Sequence, residues 1–213
     1  MNWTLPQQLY LLSYDLDKDK LDPNPVLVRG QLLRAAAVAE LTIHGWLSDE
    51  DGKAVRDAAL PPPGDAFLAE VLDNTTAGKP RSWFKIVDHR WDKAETAVRD
   101  QLAERGTITV KSRALGFLLG EPVVLEDRER VRALRESVRT AALLGREPAD
   151  VPVADAALAM LAVEGDVRSL VTPSERRERK RELRALTDHL ETVLPGLRKA
   201  IIQSIAARRA GAA

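Results

Sequence analysis

Val26–His44, VLVRGQLLRAAAVAELTIH, is the stretch that decides the fold. Leu27, Leu33, Ala37 and Leu41 recur at helical spacing, and Val26, Val28, Leu32, Ala36, Val38 and Ile43 fill most of the remaining faces. A helix that is apolar nearly all round is buried, in a protein core or in lipid. Arg29, Arg34 and Glu40 interrupt it, and a membrane-spanning helix needs about 20 apolar residues with few or no charges. The stretch therefore reads as the central helix of a helical bundle. A guanidinium at position 34 of such a rod needs an anionic partner, because an unpaired charge is not stable away from water.

Composition narrows the function classes. The chain has 213 residues, enough for one domain with a substantial core. It carries 32 Lys+Arg against 32 Asp+Glu, so general electrostatic affinity for nucleic acid is not expected, and anion binding must come from a local patch. The absence of cysteine excludes disulfides, thiolate nucleophiles and cysteine-ligated metals. The opening MNWTLPQQLY has no basic region followed by an apolar run, so no signal peptide is expected, and no stretch reads as transmembrane. The expected location is cytoplasmic, at most peripheral on the cytosolic face of a membrane. Abundant Ala, Leu, Arg and Asp suit an Ala-rich helical protein from a GC-rich bacterial genome.

Around the central rod, punctuation marks the other elements. Thr4-Leu5-Pro6-Gln7 has the form of a capping box, opening a short helix with Leu9, Leu12 and Leu16 on its apolar side. Asp15–Pro25 reads as a turn-rich loop, and Gly45 suits the left-handed end of the central helix. Trp46–Val55 reads as a hairpin turning at Asp51-Gly52. Further helices are expected from Asp65, over Arg81–Arg90, and from a second capping box, Asp92 and Glu95, to Arg105. Thr107–Leu125 alternates like a half-buried strand and then turns glycine-rich, placing Phe117, Leu118 and Leu119 at a protruding hairpin. Helical patterns resume from Glu126 and over Asp155–Glu164. Thr172-Pro173-Ser174-Glu175 is a third capping box, with proline at the first helical position. It opens one long charged helix, followed after Pro195-Gly196 by a last amphipathic helix whose tail, residues 206–213, is expected to fray. The expected fold class is mainly α: a single domain of amphipathic helices around one buried apolar helix, with small β-hairpins.

Candidate chemistry is sparse. The three histidines, His44, His89 and His189, have no metal-ligand spacing. Asp88, His89 and Asp92 are the best catalytic trio available, but capping roles account for them without a pocket or a third orienting group. No phosphate-binding glycine loop or nucleophile elbow occurs. The basic run Arg176, Arg177, Arg179, Lys180, Arg181 and Arg184 is interleaved with Glu175, Glu178 and Glu182, and Glu175 with Arg179 forms a favourable i,i+4 pair. That pattern reads as a solvated, salt-bridged face. Phe117–Leu119 between Gly116 and Gly120 is either core or an apolar tip for a membrane interface or a second subunit.

Several segments match a known pattern in order and spacing. They are Thr4–Leu12, TLPQQLYLL; Arg34–Leu47, RAAAVAELTIHGWL; and Pro63-Gly64-Asp65 followed by Leu68, Glu70 and Leu72. Lys79-Pro80-Arg81-Ser82 and Leu102–Gly106, LAERG, ahead of a hairpin complete the set. Together they resemble the Golgi phosphoprotein 3 family in its bacterial branch, over nearly the whole chain. The resemblance implies a mostly helical fold over residues 1–213, no enzyme activity and no cofactor. It implies binding of an anionic lipid headgroup, phosphatidylinositol 4-phosphate, at a basic pocket, with the hairpin used for membrane contact or self-association. In eukaryotic members a Trp before the central helix, an Arg within it and two Arg near the start of the pre-hairpin helix make that pocket. Here the central arginine is Arg34. Pro25 stands near the Trp position, and Asp92 and Glu95 near the two Arg positions. Two carboxylates in place of two guanidiniums would repel a phosphate by several kcal/mol in a partly buried site. The expected headgroup site is therefore Arg34 assisted by Arg90, Lys93 and Arg29. The alternative is a homo-oligomeric interaction scaffold of the same fold that has lost phosphoinositide binding.

Overall fold

The computed structural model describes residues 3–111 and 122–211. Among these, ten α-helices and three two-stranded antiparallel hairpins follow one another along the chain. Helix α1, Leu5–Leu12, opens where Gln7 Oε1 accepts the Thr4 N–H at 3.3 Å, the reach-back half of the expected capping box. The segment read as a plain loop then forms a small hairpin, β1 (Tyr14–Asp15) with β2 (Lys20–Leu21). Two-residue strands are too short to leave an alternation signal in sequence.

The central helix α2 is Arg29–Ile43. It starts three residues later than its apolar pattern suggested. Pro23 and Pro25 hold the preceding chain in turns, and Val26 and Leu27 are 56% and 51% exposed rather than in the rod. From Arg29 to Ala39 every residue is buried. Gly45, at φ +81°, ends the helix as expected. Strands β3 (Leu47–Glu50) and β4 (Lys53–Arg56) pair across Asp51-Gly52, both with positive φ, which is the turn that matches the twist of a two-residue hairpin.

Helix α3, Ala66–Leu72, is capped by Asp65 Oδ1, which accepts from Phe67 N and Leu68 N at 3.0 and 3.1 Å. Helix α4, Trp83–Val87, is one short turn and a half. Helix α5, Trp91–Glu104, does not use the expected capping box. It begins one residue before Asp92, after Arg90 in a left-handed conformation at φ 45°. Asp92 sits exposed in the first turn, where the helix dipole favours a carboxylate. Glu95 is drawn away to Arg29. Strands β5 (Ile108–Val110) and β6 (Val123–Leu125) pair as the base of the expected hairpin. Phe117, Leu118 and Leu119 lie outside the described residues.

Helix α6, Arg128–Leu143, is capped by Asp127, and α7, Val153–Glu164, buries all of Ala156–Ala162. The third capping box forms as read, but its helix does not run on. Arg179 divides it into α8 (Pro173–Glu178) and α9 (Lys180–Val193). The expected Glu175–Arg179 pair also fails to form. Glu175 turns to Arg139 of α6, and Arg179 reaches Glu182 at 3.4 Å. Helix α10, Leu197–Ala210, includes residues 206–210 of the tail expected to fray. The Arg208 guanidinium stacks 4.4 Å above the Trp91 ring and supplies a tertiary anchor that the helix pattern alone did not reveal.

The core lies where α2 meets α1, α3, α4, α5, α7 and α10. Two apolar rods, α2 and α7, touch each other at its centre, and the amphipathic helices wrap them. Close approach makes Gly30 a steric requirement: a Cβ there would lie 2.1 Å from the Trp91 carbonyl oxygen, a backbone atom that cannot swing aside. Gly30→Ala is therefore expected to cost about 2 kcal/mol or more in urea unfolding. Gly64→Ala, with nothing within 4 Å of the new methyl, should stay within about 0.5 kcal/mol of wild type.

Candidate functional site

Arg34 projects from the middle of α2 and is fully buried. Its Nε donates to the Ile86 carbonyl of α4 at 3.0 Å, and its Nη1 donates to Glu70 Oε2 of α3 at 2.9 Å. Burial pulls the Arg34 guanidinium below its ordinary range, and the Glu70 carboxylate offsets part of that. The partner that the sequence demanded is thus internal, supplied by the helix that begins at Asp65. Glu70 was visible only as a member of the Pro63–Leu72 resemblance, and nothing in its own neighbourhood announced a buried cation three dozen residues away.

Arg29 sits one and a half turns earlier on α2, also buried. Its Nη1 donates to Glu95 Oε1 at 2.5 Å and its Nη2 to the Asp22 carbonyl at 2.6 Å. Position 95, where the resemblance expects a phosphate-binding arginine, instead holds a carboxylate that neutralises Arg29. Pro25, at the expected tryptophan position, lies in the turn ahead of α2 and is buried.

Arg90 and Lys93 are the expected site residues that solvent reaches, with side chains 59% and 70% exposed. Arg90 Nη1 stands 4.0 Å from Glu70 Oε1, and Lys93 Nζ stands 3.5 Å from Asp92. Both line an open cleft of about 300 Å³ between α3 and α5, walled also by Phe67, Ala94 and Ala97. Glu70, Asp100 and Glu104 line it too. The structure thus brings Arg34, Arg90 and Lys93 to one neighbourhood through Glu70 and the cleft, and holds Arg29 in an ion pair with Glu95.

The catalytic trio is not assembled. Asp88 accepts from Ser204 Oγ of α10 at 2.7 Å, an interhelical tie, and Asp92 faces Lys93. His89 lies instead among arginines. Burial first, then Arg34 and Arg81, hold its imidazole below the usual histidine range. Among the described residues no helix is long and apolar enough to cross a membrane, and no group of His, Asp or Glu is arranged to hold a metal ion.

A second buried polar cluster went unread in the sequence. Gln7, fully buried, donates to Asp65 and Gln101 and accepts from Arg105, tying α1 to α3 and α5. Beside it Glu40 accepts the Leu5 N–H at 2.5 Å. Burial, then the neighbouring Asp65 charge, push the Glu40 carboxyl up to about 7. The folded chain therefore keeps a proton that the unfolded chain releases at ordinary carboxylate pH. This group's contribution to stability is full below about pH 4.5 and falls as pH rises toward 7. Glu40→Gln, whose amide oxygen can still accept from Leu5, should remove that slope. It should also stabilise the chain at pH 8 by about 1–2 kcal/mol, allowing for partial exposure. Thermal unfolding across pH 4 to 8 checks this.

Comparison with known proteins bears on the whole chain. A search of curated proteins finds no match. A family model described as Golgi phosphoprotein 3 (GPP34) matches residues 5–204, from the first helix into the last. With the helical bundle, the buried α2 rod and the hairpin base all inside that span, the chain belongs to the Golgi phosphoprotein 3 (GPP34) family.

Proposed function

We propose that this protein is a non-enzymatic peripheral adaptor that docks on a cytosolic membrane face by recognising an anionic phosphoinositide headgroup. The observation that carries the reading is the cleft between α3 and α5. Arg90 and Lys93 stand exposed there, and Glu70 connects the cleft to the buried Arg34. Family membership is consistent with an adaptor role. In this arrangement Arg90 and Lys93 contact the phosphate, and charge-assisted hydrogen bonds to its oxygens provide the affinity. Arg34 and Arg29 hold the floor: Arg34 pairs with Glu70 of α3, and Arg29 pairs with Glu95 of α5, the helix that carries Lys93. The segment Phe117, Leu118 and Leu119, which the sequence pattern places between β5 and β6, supplies the second attachment, to the bilayer or to another copy.

One observation favours the scaffold alternative. Three carboxylates, Glu70, Asp100 and Glu104, line the cleft against two cations, and both buried arginines already have partners. A cleft with that balance attracts a phosphate weakly unless a negatively charged surface brings basic groups to it at about 1 kcal/mol each.

Vesicle sedimentation separates the two readings. Phosphatidylcholine vesicles with and without a phosphatidylinositol phosphate should differ in the fraction of protein bound. Arg90→Gln with Lys93→Gln should weaken the preferred binding about tenfold or more. Equal binding to both vesicle types would contradict the lipid reading and leave the scaffold. An unchanged preference in the double variant would move the site elsewhere. The scaffold reading expects removal of residues 113–120 to turn an oligomer into a monomer by light scattering, and an unchanged mass would contradict it.

A further inference from the structure

The cleft between α3 and α5 carries an order of charge that anion binding does not explain. Arg90, in the left-handed turn that opens α5, and Lys93 stand at one end. Asp100 and Glu104, the last residue of the helix, stand at the other. Ala94 and Ala97 lie between them. All four charged residues are exposed. Lys93 lies 3.5 Å from its neighbour Asp92, and Asp100 accepts from its neighbour Arg99 at 2.8 Å, so both of these contacts stay within α5.

That order runs against the dipole of the helix. A helix favours anions in its first turn and cations in its last. On the cleft face α5 does the reverse, its last turn holds no basic residue, and Asp92 of the first turn does not line the cleft. The spacing is also antisymmetric about Ala97. Arg90 lies seven residues before it and Glu104 seven after; Lys93 lies four before and Asp100 three after. At about 100° per residue these five positions fall within about 60° of one direction, on a strip about 20 Å long. A two-fold axis through Ala97, perpendicular to the helix, lays such a strip on its own complement. Lys93 of one copy then meets Asp100 of the other, and Arg90 meets Glu104, each pair occurring twice. At the axis Ala97 faces Ala97, and side chains this small let two helices approach closely. A parallel arrangement would instead set like charge on like.

We propose that the α3–α5 cleft is the interface of a two-fold symmetric dimer of this chain, with the α5 of a second copy lying antiparallel as its occupant. The strip is smaller than a standard interface, so the dimer is a weak one that forms at about 10–100 μM. Its ion pairs use Arg90 and Lys93, the cations of the headgroup reading, so the dimer and a bound headgroup exclude one another. The pairing itself rests neither on that reading nor on residues 113–120.

Analytical ultracentrifugation of the full chain without lipid, over about 5–500 μM, tests the interface. The wild type should pass from monomer to dimer, and raising NaCl from about 0.05 M to about 0.5 M should weaken the dimer about tenfold. Lys93→Glu sets carboxylate against carboxylate twice across the axis and should raise the dissociation constant about tenfold or more. Asp100→Lys should do the same with two cations. An equimolar mixture of the two variants should restore the wild-type dimer, because the two altered positions then face each other with opposite charge. A variant that failed to fold could not give that rescue. A wild type that stays monomeric to about 500 μM overturns the proposal. So does a dimer that survives both reversals, which places the contact elsewhere, and so does a mixture that remains monomeric. Vesicle binding is read separately. Loss of phosphoinositide preference with the dimer retained removes the headgroup reading alone, and loss of the dimer with that preference retained removes this interface alone.

Discussion

One charged contact organises the molecule: Arg34, on a helix buried without a break from Arg29 to Ala39, paired with Glu70. An arginine at the centre of a helix that is buried on all sides cannot stand alone, because desolvating an unpaired guanidinium costs far more than one helix gains by packing. Helix α3 must therefore deliver a carboxylate to that point, and α4 must turn the Ile86 carbonyl toward the same guanidinium. Three elements distant in sequence are fixed to one another by a single side chain. The same requirement governs what the surface can do. The cleft between α3 and α5 has Glu70 in its wall, so any anion that approaches Arg90 or Lys93 meets a carboxylate already committed to the interior.

The other helices join this frame by polar ties as much as by apolar contact. Gln7 holds α1 against α3 and α5, Glu40 closes the first turn of α1, and Arg29 with Glu95 clamps the start of α2 to α5. Arg139 joins Leu170 and Glu175 across the far side. There the Arg139 guanidinium holds the Glu175 carboxyl down at about 2, the opposite shift to that of Glu40. The two groups titrate in separate windows, so acid weakens one tie while alkali strains the other.

Much of this was legible in the sequence, for identifiable reasons. The α2 rod was readable because burial on every face leaves few places for a charge. The β3–β4 turn was readable because Asp51-Gly52 states its backbone geometry locally, and Thr172 with Glu175 states a helix start in the same way. What failed was whatever depended on distant partners. Val26 and Leu27 looked like rod and are surface, because the prolines before them set the direction of the chain. Asp92 and Glu95 looked like a cap, yet Glu95 answers Arg29 across the α2–α5 contact. The tail looked loose until Trp91 supplied a ring for Arg208. At the candidate site, Arg34 was conspicuous as a charge out of place. Its partner Glu70 was not, since an exposed-looking Glu carries no local mark of what it will face.

The family assignment and the geometry meet at one point. The central helix carries Arg34, the arginine that the resemblance expects, while positions 92 and 95, where the resemblance expects base, carry acid, and the buried Arg29 and Arg34 are each paired with a carboxylate inside the protein. Whether Arg34 is in fact held by Glu70 is measured most directly by a double-mutant cycle in urea with Arg34→Met, Glu70→Gln and the pair together. The structure predicts that each single change destabilises the chain and that the double change costs less than their sum by about 1 kcal/mol or more. Strict additivity would show that the two side chains do not meet, and that the central helix carries its charge for a partner from outside.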